Sequence, residues 1–372
     1  PPPPPPPLFF FNPDPAKPDA QESRGLGDVY KRQFIENILV FDEKFSVAPM
    51  MEWTDKHCRY FLRLISNCSV LYTEMISADA IIFGPREKLL NFNKEELPCV
   101  LQLGGNNPRK LALAAKYGQD YGYSKINLNI GCPSNRVQNG AFGACLMKEP
   151  KLVAECVKTI QDNCQIPITI KCRIGVDDMH EVQGLDDFID EVSEVGVKLF
   201  VIHARKALLN GLSPKQNREI PPLNYNRVGL LKKRRPDLKI IINGGIQSIE
   251  HGQDLIKKFG LDGFMIGREV YKNPYILSSL DRIVFNRQEK IKSRYKVAME
   301  MADYIDKFMK KDESHVHAVT RHILGLYNSL PGAKEWRRKL SENARFSKNG
   351  DILRFATENI EEFIHSKSLI LA

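Results

Sequence analysis

The sequence has 372 residues, of which 42% are hydrophobic and 27% are charged, and its formal net charge is +9. This length exceeds the needs of one ordinary domain, and the composition is typical of a globular chain with an ample core. No apolar run reaches the roughly 20 residues that a bilayer-spanning helix requires, so a membrane-spanning protein is excluded and a soluble one is expected.

The first 33 residues begin with seven prolines and show neither helical nor strand periodicity. We therefore predict a disordered, Pro-rich tail over residues 1–34. The segment lacks the basic and apolar regions of a secretory signal, and it is too rich in proline for an amphipathic transit peptide. No functional role is predicted for it.

Eight short apolar segments follow, and they alternate with segments of helical periodicity. Eight strand–helix units in about 240 residues are typical of a closed (β/α)8 barrel, the TIM barrel. An open doubly wound sheet is disfavoured because no GxGxxG turn follows the first strand. The predicted barrel covers residues 35–285, with strands at 45–48, 71–74, 100–103, 125–129, 168–172, 199–203, 239–242 and 263–266.

After Arg268 the pattern changes to longer segments with apolar residues spaced three and four apart, which indicates helices. We predict a smaller all-helical C-terminal domain over residues 286–372, with helices at 296–311, 317–330 and 352–367. Residues 287–350 contain 15 Lys and Arg against 8 Asp and Glu. Such a basic region favours a polyanionic partner such as nucleic acid, although basic solvated helices without a partner are also common.

Polar residues occur where the predicted strands end, which is the face on which TIM barrels carry their active sites. Residues two apart on a strand share a face, so three polar pairs should converge on one cavity. These pairs are Asn127 with Asn129, Lys171 with Arg173, and His203 with Arg205.

Glycines follow the seventh and eighth strands, in the segments INGGI (242–246) and IGREVYKNPYIL (266–277). Their backbone N–H groups can approach a phosphate, and the helix that follows favours its negative charge. Barrels of this kind usually bind phosphate after these two strands, and Arg268 beside Gly267 adds a cationic partner. We therefore predict a phosphorylated cofactor or substrate.

Lys171 permits three interpretations. It could form a Schiff base, as in barrel aldolases, or it could be a fixed positive charge beside an electron-rich ring. Met50, Met51 and the Gln102 amide suit the flat ring of FMN, which would also explain the phosphate site. A structural ion pair with a barrel carboxylate is the third interpretation.

Eight cysteines are scattered without a CxxC pair or a ligand-like cluster, so neither a disulfide framework nor a zinc site is predicted. Seven of them are expected to be small buried hydrophobic residues. Cys132 differs, because it follows the fourth strand on a polar loop between Gly131 and Pro133. A thiol with an ordinary pKa of about 8.5 is mostly protonated at neutral pH and can act as a general acid.

The sequence closely resembles the tRNA-dihydrouridine synthases, and within them the A subfamily, over about residues 45–346. Motifs that carry the resemblance include SVAPMMEWTDKHCRYFLRL (46–64), INLNIGCPSNRVQNGAFGACLM (126–147), IKCRIG (170–175) and MIGREVYKNP (265–274). The resemblance implies an FMN-containing barrel, a helical domain that binds tRNA, and NADPH as reductant. It also implies reduction of the C5–C6 bond of uridines in the tRNA D-loop, and the subfamily points to positions 20 and 20a.

The resemblance also implies residue roles. Cys132 corresponds to the proton donor, which protonates C5 of the uracil after hydride passes from reduced FMN to C6. The residues that correspond to the FMN site are Pro49, Met50, Met51, Gln102, Lys171, His203, Asn243, Gly244, Gly245, Gly267 and Arg268. Residues expected to contact the target base or the tRNA are Asn129, Arg136, Arg173, Asn217, Arg218, Arg321, Arg337 and Arg338.

Other functions stay open at this point. An FMN barrel of the dihydroorotate dehydrogenase type also acts on a pyrimidine C5–C6 bond, but it would not need the basic helical domain. An aldolase that uses Lys171, or a tRNA-binding barrel without catalysis, are further alternatives. We expect a monomer without a metal ion, located in the cytoplasm or alternatively in an organelle that contains tRNA.

Overall fold

The computed structural model describes residues 42–309 and 315–371. The predicted N-terminal tail, residues 1–34, lies outside this part of the chain, as do the last two residues of the helix predicted at 296–311. Within the described ranges, no helix is both long and apolar enough to cross a membrane.

Eight parallel strands form the barrel: β1 (Phe45–Val47), β2 (Leu71–Ser77), β3 (Cys99–Gly104), β4 (Lys125–Ile130), β5 (Ile168–Arg173), β6 (Leu199–His203), β7 (Lys239–Asn243) and β8 (Gly263–Ile266). Each strand from β2 to β7 pairs with the next one in the chain, and β8 pairs with β1. The barrel closes where the N–H of Val47 donates to the carbonyl of Val70 at 2.9 Å. The predicted TIM barrel is therefore confirmed, and the strand ends differ from prediction by three residues at most.

Helices follow the strands and cover the outside of the barrel. Polar residues cap several of them; the side chain of Asp55, for example, accepts the N–H groups of His57 and Cys58 at 3.0 Å. The helices are α1 (Lys56–Ile65), α2 (Ala78–Phe83), α3 (Arg86–Leu90), α4 (Pro108–Asp120), α5 (Asn135–Asn139), α6 (Pro150–Asn163), α7 (Gln183–Glu194), α8 (Tyr225–Arg234), α9 (Ile249–Phe259), α10 (Arg268–Lys272) and α11 (Leu280–Ile283).

The remaining helices are α12 (Arg294–Met309), α13 (His317–Thr320), α14 (Ala333–Asn343) and α15 (Asp351–Leu371). The helix predicted at 317–330 was only partly right, because α-helix ends at Thr320 and turns follow. In that segment Gly325 lies so close to the barrel that an added Cβ would overlap the carbonyl of Lys272. Contact with the barrel therefore overrides the helical spacing of the apolar residues.

The barrel and the C-terminal helices share one continuous hydrophobic core. Tyr304 on α12 stacks on Tyr60 of α1 with 4.2 Å between the ring centroids. The hydroxyl of Tyr304 also lies 2.7 Å from Nδ1 of His57. Helix α12 is thus packed against α1, the helix that follows β1. The domain boundary at residue 285 stays a prediction.

Candidate active site

A cavity of about 1350 Å³ opens at the carboxyl ends of the strands. Pockets for one small ligand usually measure about 300–1000 Å³, so this cavity has room for more than one ligand. A second cavity of about 430 Å³ lies at the other end of the barrel, beside Glu43 and Lys125, and contains none of the predicted site residues. The first cavity is lined by every member of the predicted FMN set, and also by Asn129, Cys132, Arg173 and Arg218.

Cys132 lies on the loop between β4 and α5, and its partly buried side chain reaches the cavity. Oδ1 of Asn129 accepts the N–H groups of Gly131 at 3.1 Å and of Cys132 at 2.9 Å. The carbonyl of Cys132 accepts the N–H of Ala144 at 3.0 Å. Backbone hydrogen bonds on both sides of the residue therefore hold the thiol at the cavity wall.

A chain of side-chain amides orients Asn129 in turn. Nδ2 of Asn129 donates to Oε1 of Gln102 at 2.8 Å, and Nε2 of Gln102 donates to Oδ1 of Asn127 at 2.8 Å. Asn127 is fully buried below the cavity and donates to Oγ1 of Thr169 at 2.9 Å. Oδ1 of Asn129 already accepts two N–H groups, and one hydrogen on Nδ2 is donated to Gln102. The second hydrogen on Nδ2 is therefore the group that Asn129 can offer to a ligand.

The other seven cysteines do not line this cavity, and all eight are free thiols. Burial raises the pKa of the Cys172 thiol to about 12, and such buried thiols are chemically inert. Five are buried, as expected, while Cys68 and Cys145 are partly exposed; the buried ones are Cys58, Cys99, Cys156, Cys164 and Cys172. Within residues 42–309 and 315–371, no group of three or more His, Cys, Asp or Glu side chains could hold a metal ion.

Lys171 lies beside Asn129 in the register of β4 and β5, and its Nζ donates to Oδ1 of Asn243 at 3.1 Å. Burial, with a further contribution from Arg173, lowers the pKa of Lys171 to about 8. No carboxylate in the described ranges forms an ion pair with this amine, so the interpretation as a structural ion pair is not supported. Lys171 is a cation that a bound anionic group would stabilise.

In the turn after β7, the backbone of Gly244 lies close to His203 on the cavity wall. Gly244 has a φ of +107°, and an added Cβ there would lie only 3.1 Å from Nε2 of His203. Burial and the neighbouring Arg173 lower the pKa of His203 well below its usual value. Its Nδ1 is buried and has no hydrogen-bond partner within the described ranges. A buried polar atom without a partner, beside a turn that excludes side chains, suits a ligand that supplies hydrogen-bonding groups.

Arg268 reaches the cavity from the start of α10, but it is not free. Its Nη1 donates to Oε1 of Glu219 at 2.8 Å. Glu219 was not predicted, and an anion at Arg268 would have to compete with it. Since α10 has only five residues, its dipole adds little to a phosphate site after β8. The turn after β7 therefore offers the better site for a phosphate.

The burial of Asn217 does not agree with its predicted role in contacting tRNA. Its side chain is completely buried, its Nδ2 donates to the carbonyl of Leu208 at 2.8 Å, and its Oδ1 accepts the N–H of Leu208 at 2.8 Å. The carbonyl of Asn217 also accepts a hydrogen bond from the buried guanidinium of Arg173 at 3.0 Å. Both residues therefore brace the loop after β6, and Asn217 has no surface to offer a phosphate.

Three further predicted tRNA contacts, Arg321, Arg337 and Arg338, do not line the cavity. Arg337 is exposed on α14 and forms no ion pair with any described residue, whereas Arg338 pairs with Glu335 at 2.8 Å. Nη2 of Arg321 donates to Oδ2 of Asp55 at 2.7 Å. The side chain of Arg136 lies outside the described part of the chain.

Asp55 and His322 form a junction that the sequence analysis missed. Nε2 of His322 donates to Oδ2 of Asp55 at 2.9 Å, and the hydroxyl of Tyr271 lies 3.2 Å from Nδ1 of His322. Burial alone would raise the pKa of Asp55, but the interaction with His322 and the hydrogen bond from the N–H of Cys58 together outweigh it and keep this pKa well below its usual value. The junction joins the rim of the cavity to the C-terminal helices.

Comparison with known proteins identifies the family. The profile of the family described as "Dihydrouridine synthase (Dus)" matches residues 46–364. Proteins named tRNA-dihydrouridine(20/20a) synthase are 50% identical over 321 residues in Vibrio vulnificus strain CMCP6 (86% of this chain, 97% of that protein) and 51% identical over 302 residues in Escherichia coli strain K12 (81% and 86%). The corresponding protein of Vibrio cholerae is 52% identical over 302 residues, or 81% of this chain and 91% of that protein.

A solved structure of 2-naphthoyl-CoA reductase with 2-naphthoyl-CoA aligns with a TM-score of 0.50 at 10% identity, over 67% of this chain and 51% of that one. At this identity the likeness concerns the fold alone. The family matches, by contrast, extend through the barrel and the C-terminal helices and confirm the resemblance inferred from the motifs. The chain therefore belongs to the dihydrouridine synthase family.

Proposed function

We propose that this protein reduces uridine to 5,6-dihydrouridine in the D-loop of tRNA, at positions 20 and 20a, with FMN as cofactor and NADPH as electron donor. The observation that carries the proposal is the position of Cys132 on the same cavity as Lys171, His203 and Gly244. The names of the relatives, tRNA-dihydrouridine(20/20a) synthase, supply the reaction and the substrate positions.

The cavity suits FMN at both ends of the molecule. The turn at Gly244 and the unpartnered Nδ1 of His203 would hold the phosphate, because they supply backbone without a side chain on the cavity wall and a polar atom without a partner. Met51 is 54% exposed and lines the cavity, so a flat aromatic ring would cover an otherwise exposed apolar side chain. Gln102 and Lys171 would meet the polar edge of that ring. Bound FMN would supply hydride chemistry.

The residues of the chain then have distinct tasks. Cys132 holds a proton on Sγ and delivers it to C5 of the uracil, and Oγ of Ser134, 3.5 Å away, can help to replace that proton from solvent. Lys171 keeps its proton when negative charge develops beside it, because an adjacent anion raises the pKa of the amine. Asn129 positions the thiol and can offer its second amide hydrogen to the base.

The target uridine must leave its base stack to reach the end of a barrel. This step is easier in a loop than in a duplex, because fewer pairing and stacking contacts are lost. Exposed cations such as Arg337 would bind the surrounding phosphates and fix the RNA relative to the cavity. The proposal therefore gives the C-terminal helices the task of binding tRNA, while the barrel carries the chemistry.

Two measurements test the proposal. The purified protein should be yellow and should lose its flavin absorbance when NADPH is added without oxygen. Dihydrouridine should be missing at positions 20 and 20a of tRNA from cells without this protein, and it should return when the gene is restored. Turnover of free orotate without RNA would instead support a dihydroorotate dehydrogenase type of function. Trapping of a substrate on Lys171 by borohydride would support an aldolase.

A further inference from the structure

Trp53 supplies an aromatic surface at the rim of the cavity. It lies on the loop between β1 and α1, lines the cavity and is partly buried. Its ring stacks on Tyr271 of α10, with 4.4 Å between the centroids and 12° between the planes. One side of the indole is therefore supported by protein, while part of its surface remains on the cavity wall.

Several contacts make this surface rigid. The N–H groups of Trp53 and Thr54 both donate to the carbonyl of Met50, at 3.1 and 3.0 Å. Glu52 adopts a φ of 65°, which is unfavourable for a glutamate, and its N–H donates to the carboxylate of Glu74. Trp53 is thus held in place before any ligand binds, which lowers the entropy cost of binding to it.

The charges around Trp53 argue for recognition by stacking. Lys56 and Lys272 line this side of the cavity, but Glu52 and Glu269 line it as well. Attraction of a phosphate to the lysines is therefore largely offset by the carboxylates. An aromatic ring in such a setting favours a flat, uncharged partner, and a nucleobase is such a partner.

We propose that Trp53 stacks with a nucleobase of the RNA substrate that neighbours the uridine in the cavity. This inference rests on the proposed function, because that function makes RNA the substrate. The position of Trp53 favours RNA over a dinucleotide. Tyr271, on which it stacks, contacts His322 of the C-terminal part, so the surface lies on the path from the cavity to the basic helices.

A double-mutant cycle between protein and RNA tests the proposal. Affinities of a D-loop RNA hairpin are measured with the intact hairpin and with single abasic sites at the positions around the target uridine. For the wild-type protein, one neighbouring abasic site should weaken binding about tenfold, which lies within the range of base–aromatic stacking. For Trp53→Leu the same site should cost less than about twofold, because the stacking partner is already missing.

Two variants control the cycle. Trp53→Phe keeps an aromatic ring and should retain most of the coupling. Phe83→Leu removes a 75% exposed ring that does not line the cavity, and it should leave the penalty of every abasic site unchanged. If coupling is lost in Trp53→Leu but not in Trp53→Phe or Phe83→Leu, the result supports stacking of a base on Trp53. It also excludes a general effect of lost aromatic surface.

The inference is overturned if wild type and Trp53→Leu show equal penalties at every abasic position. It is also overturned if Trp53→Leu weakens binding of NADPH and leaves the RNA penalties unchanged, since the ring would then serve the dinucleotide. Dihydrouridine formation by the wild-type protein is measured separately. If the protein forms dihydrouridine but Trp53 shows no coupling to any abasic site, only the stacking proposal is rejected. If Trp53 is coupled to an abasic site but no dihydrouridine forms, only the proposed function is rejected.

Discussion

Oδ1 of Asn129 accepts the backbone N–H of Cys132 at 2.9 Å, and Nδ2 of the same asparagine donates to Gln102 at 2.8 Å. The position of the thiol is therefore coupled to the barrel wall through one side chain. A thiol that transfers a proton to carbon needs this kind of fixed placement, because small displacements of a reacting group reduce rates steeply.

Asn129→Ala should lower the rate of dihydrouridine formation by about ten- to a hundredfold, because the Cys132 loop loses its anchor. Bound flavin should be retained, since the turn after β7 is untouched. Asn129→Asp keeps the acceptor oxygen and should retain more activity than the alanine variant. Single-turnover assays on tRNA, with flavin content read from absorbance, provide the comparison. A fully active Asn129→Ala protein would show that the anchor is dispensable.

Gly143→Ala should destabilise the loop that carries Cys132, because Gly143 packs against this loop. Gly143 has a φ of +75°, and an added Cβ would overlap Val137 and lie 2.6 Å from the carbonyl oxygen of Cys132. We expect a loss of roughly 2 kcal/mol or more in the free energy of unfolding, together with reduced turnover. Gly122→Ala is the control, because Gly122 has a φ of +88° with nothing within 4 Å.

The Gly122 variant should lose only roughly 1 kcal/mol, because it adds backbone strain without a clash, and it should keep its activity. Urea denaturation of both variants gives the two free energies. If the two substitutions had the same effect on stability and turnover, close packing against Cys132 would not be the reason for a glycine at position 143.

Lys171 should make the stability of the flavin-free protein depend on pH. Burial lowers its pKa from 10.5 to about 8, so the unfolded chain binds more protons between these two values. The free energy of unfolding should therefore rise as the pH increases from about 8 to 10.5, by roughly 3 kcal/mol at most. Partial exposure of the side chain reduces this figure.

Lys171→Met removes the titrating group and should lack this rise. Because other groups also titrate in this window, the informative quantity is the difference between wild type and variant in urea denaturation at each pH. Parallel curves for the two proteins would mean that the amine keeps an ordinary pKa in the folded state.

Arg337→Ala should weaken tRNA binding more than Arg338→Ala does, because Arg338 is already paired with Glu335. Loss of one phosphate contact should reduce the slope of log affinity against log salt by roughly 0.7–0.9. Lys257→Ala, on the exposed face of α9, is a control with the same change in net charge. Filter binding at several salt concentrations measures the slopes. Equal slopes for all three variants would mean that Arg337 is an ordinary solvated surface residue that does not contact a tRNA phosphate.

The sequence predicted the barrel well for a physical reason. Strands of a parallel barrel are covered on both faces, so they appear as continuous apolar runs such as LFVIH (199–203). Of the six polar residues predicted to converge at the strand ends, four reach one cavity, namely Asn129, Lys171, Arg173 and His203, whereas Asn127 and Arg205 do not line it. Strand periodicity and strand ends were therefore sufficient to place these four.

Contacts between distant segments could not be predicted in this way. Asp55 and His322 are 267 residues apart, and neither belongs to a periodic pattern that reports their contact. Asn217 looks like a polar loop residue in the sequence, but it is buried because its amide satisfies backbone groups of its own loop. Helix α14 was missed because only three of its residues, Ala333, Trp336 and Leu340, are buried among exposed charges.

The most direct test of the central claim is single-turnover reduction of tRNA by Cys132→Ala, with Cys145→Ala as the control. Cys145 is also partly exposed, but it does not line the cavity, so its variant should react at the wild-type rate. Cys132→Ala should bind flavin and tRNA normally and form dihydrouridine at least about a hundredfold more slowly, because a general acid contributes about that much. Dihydrouridine formation at the wild-type rate by Cys132→Ala would contradict the account.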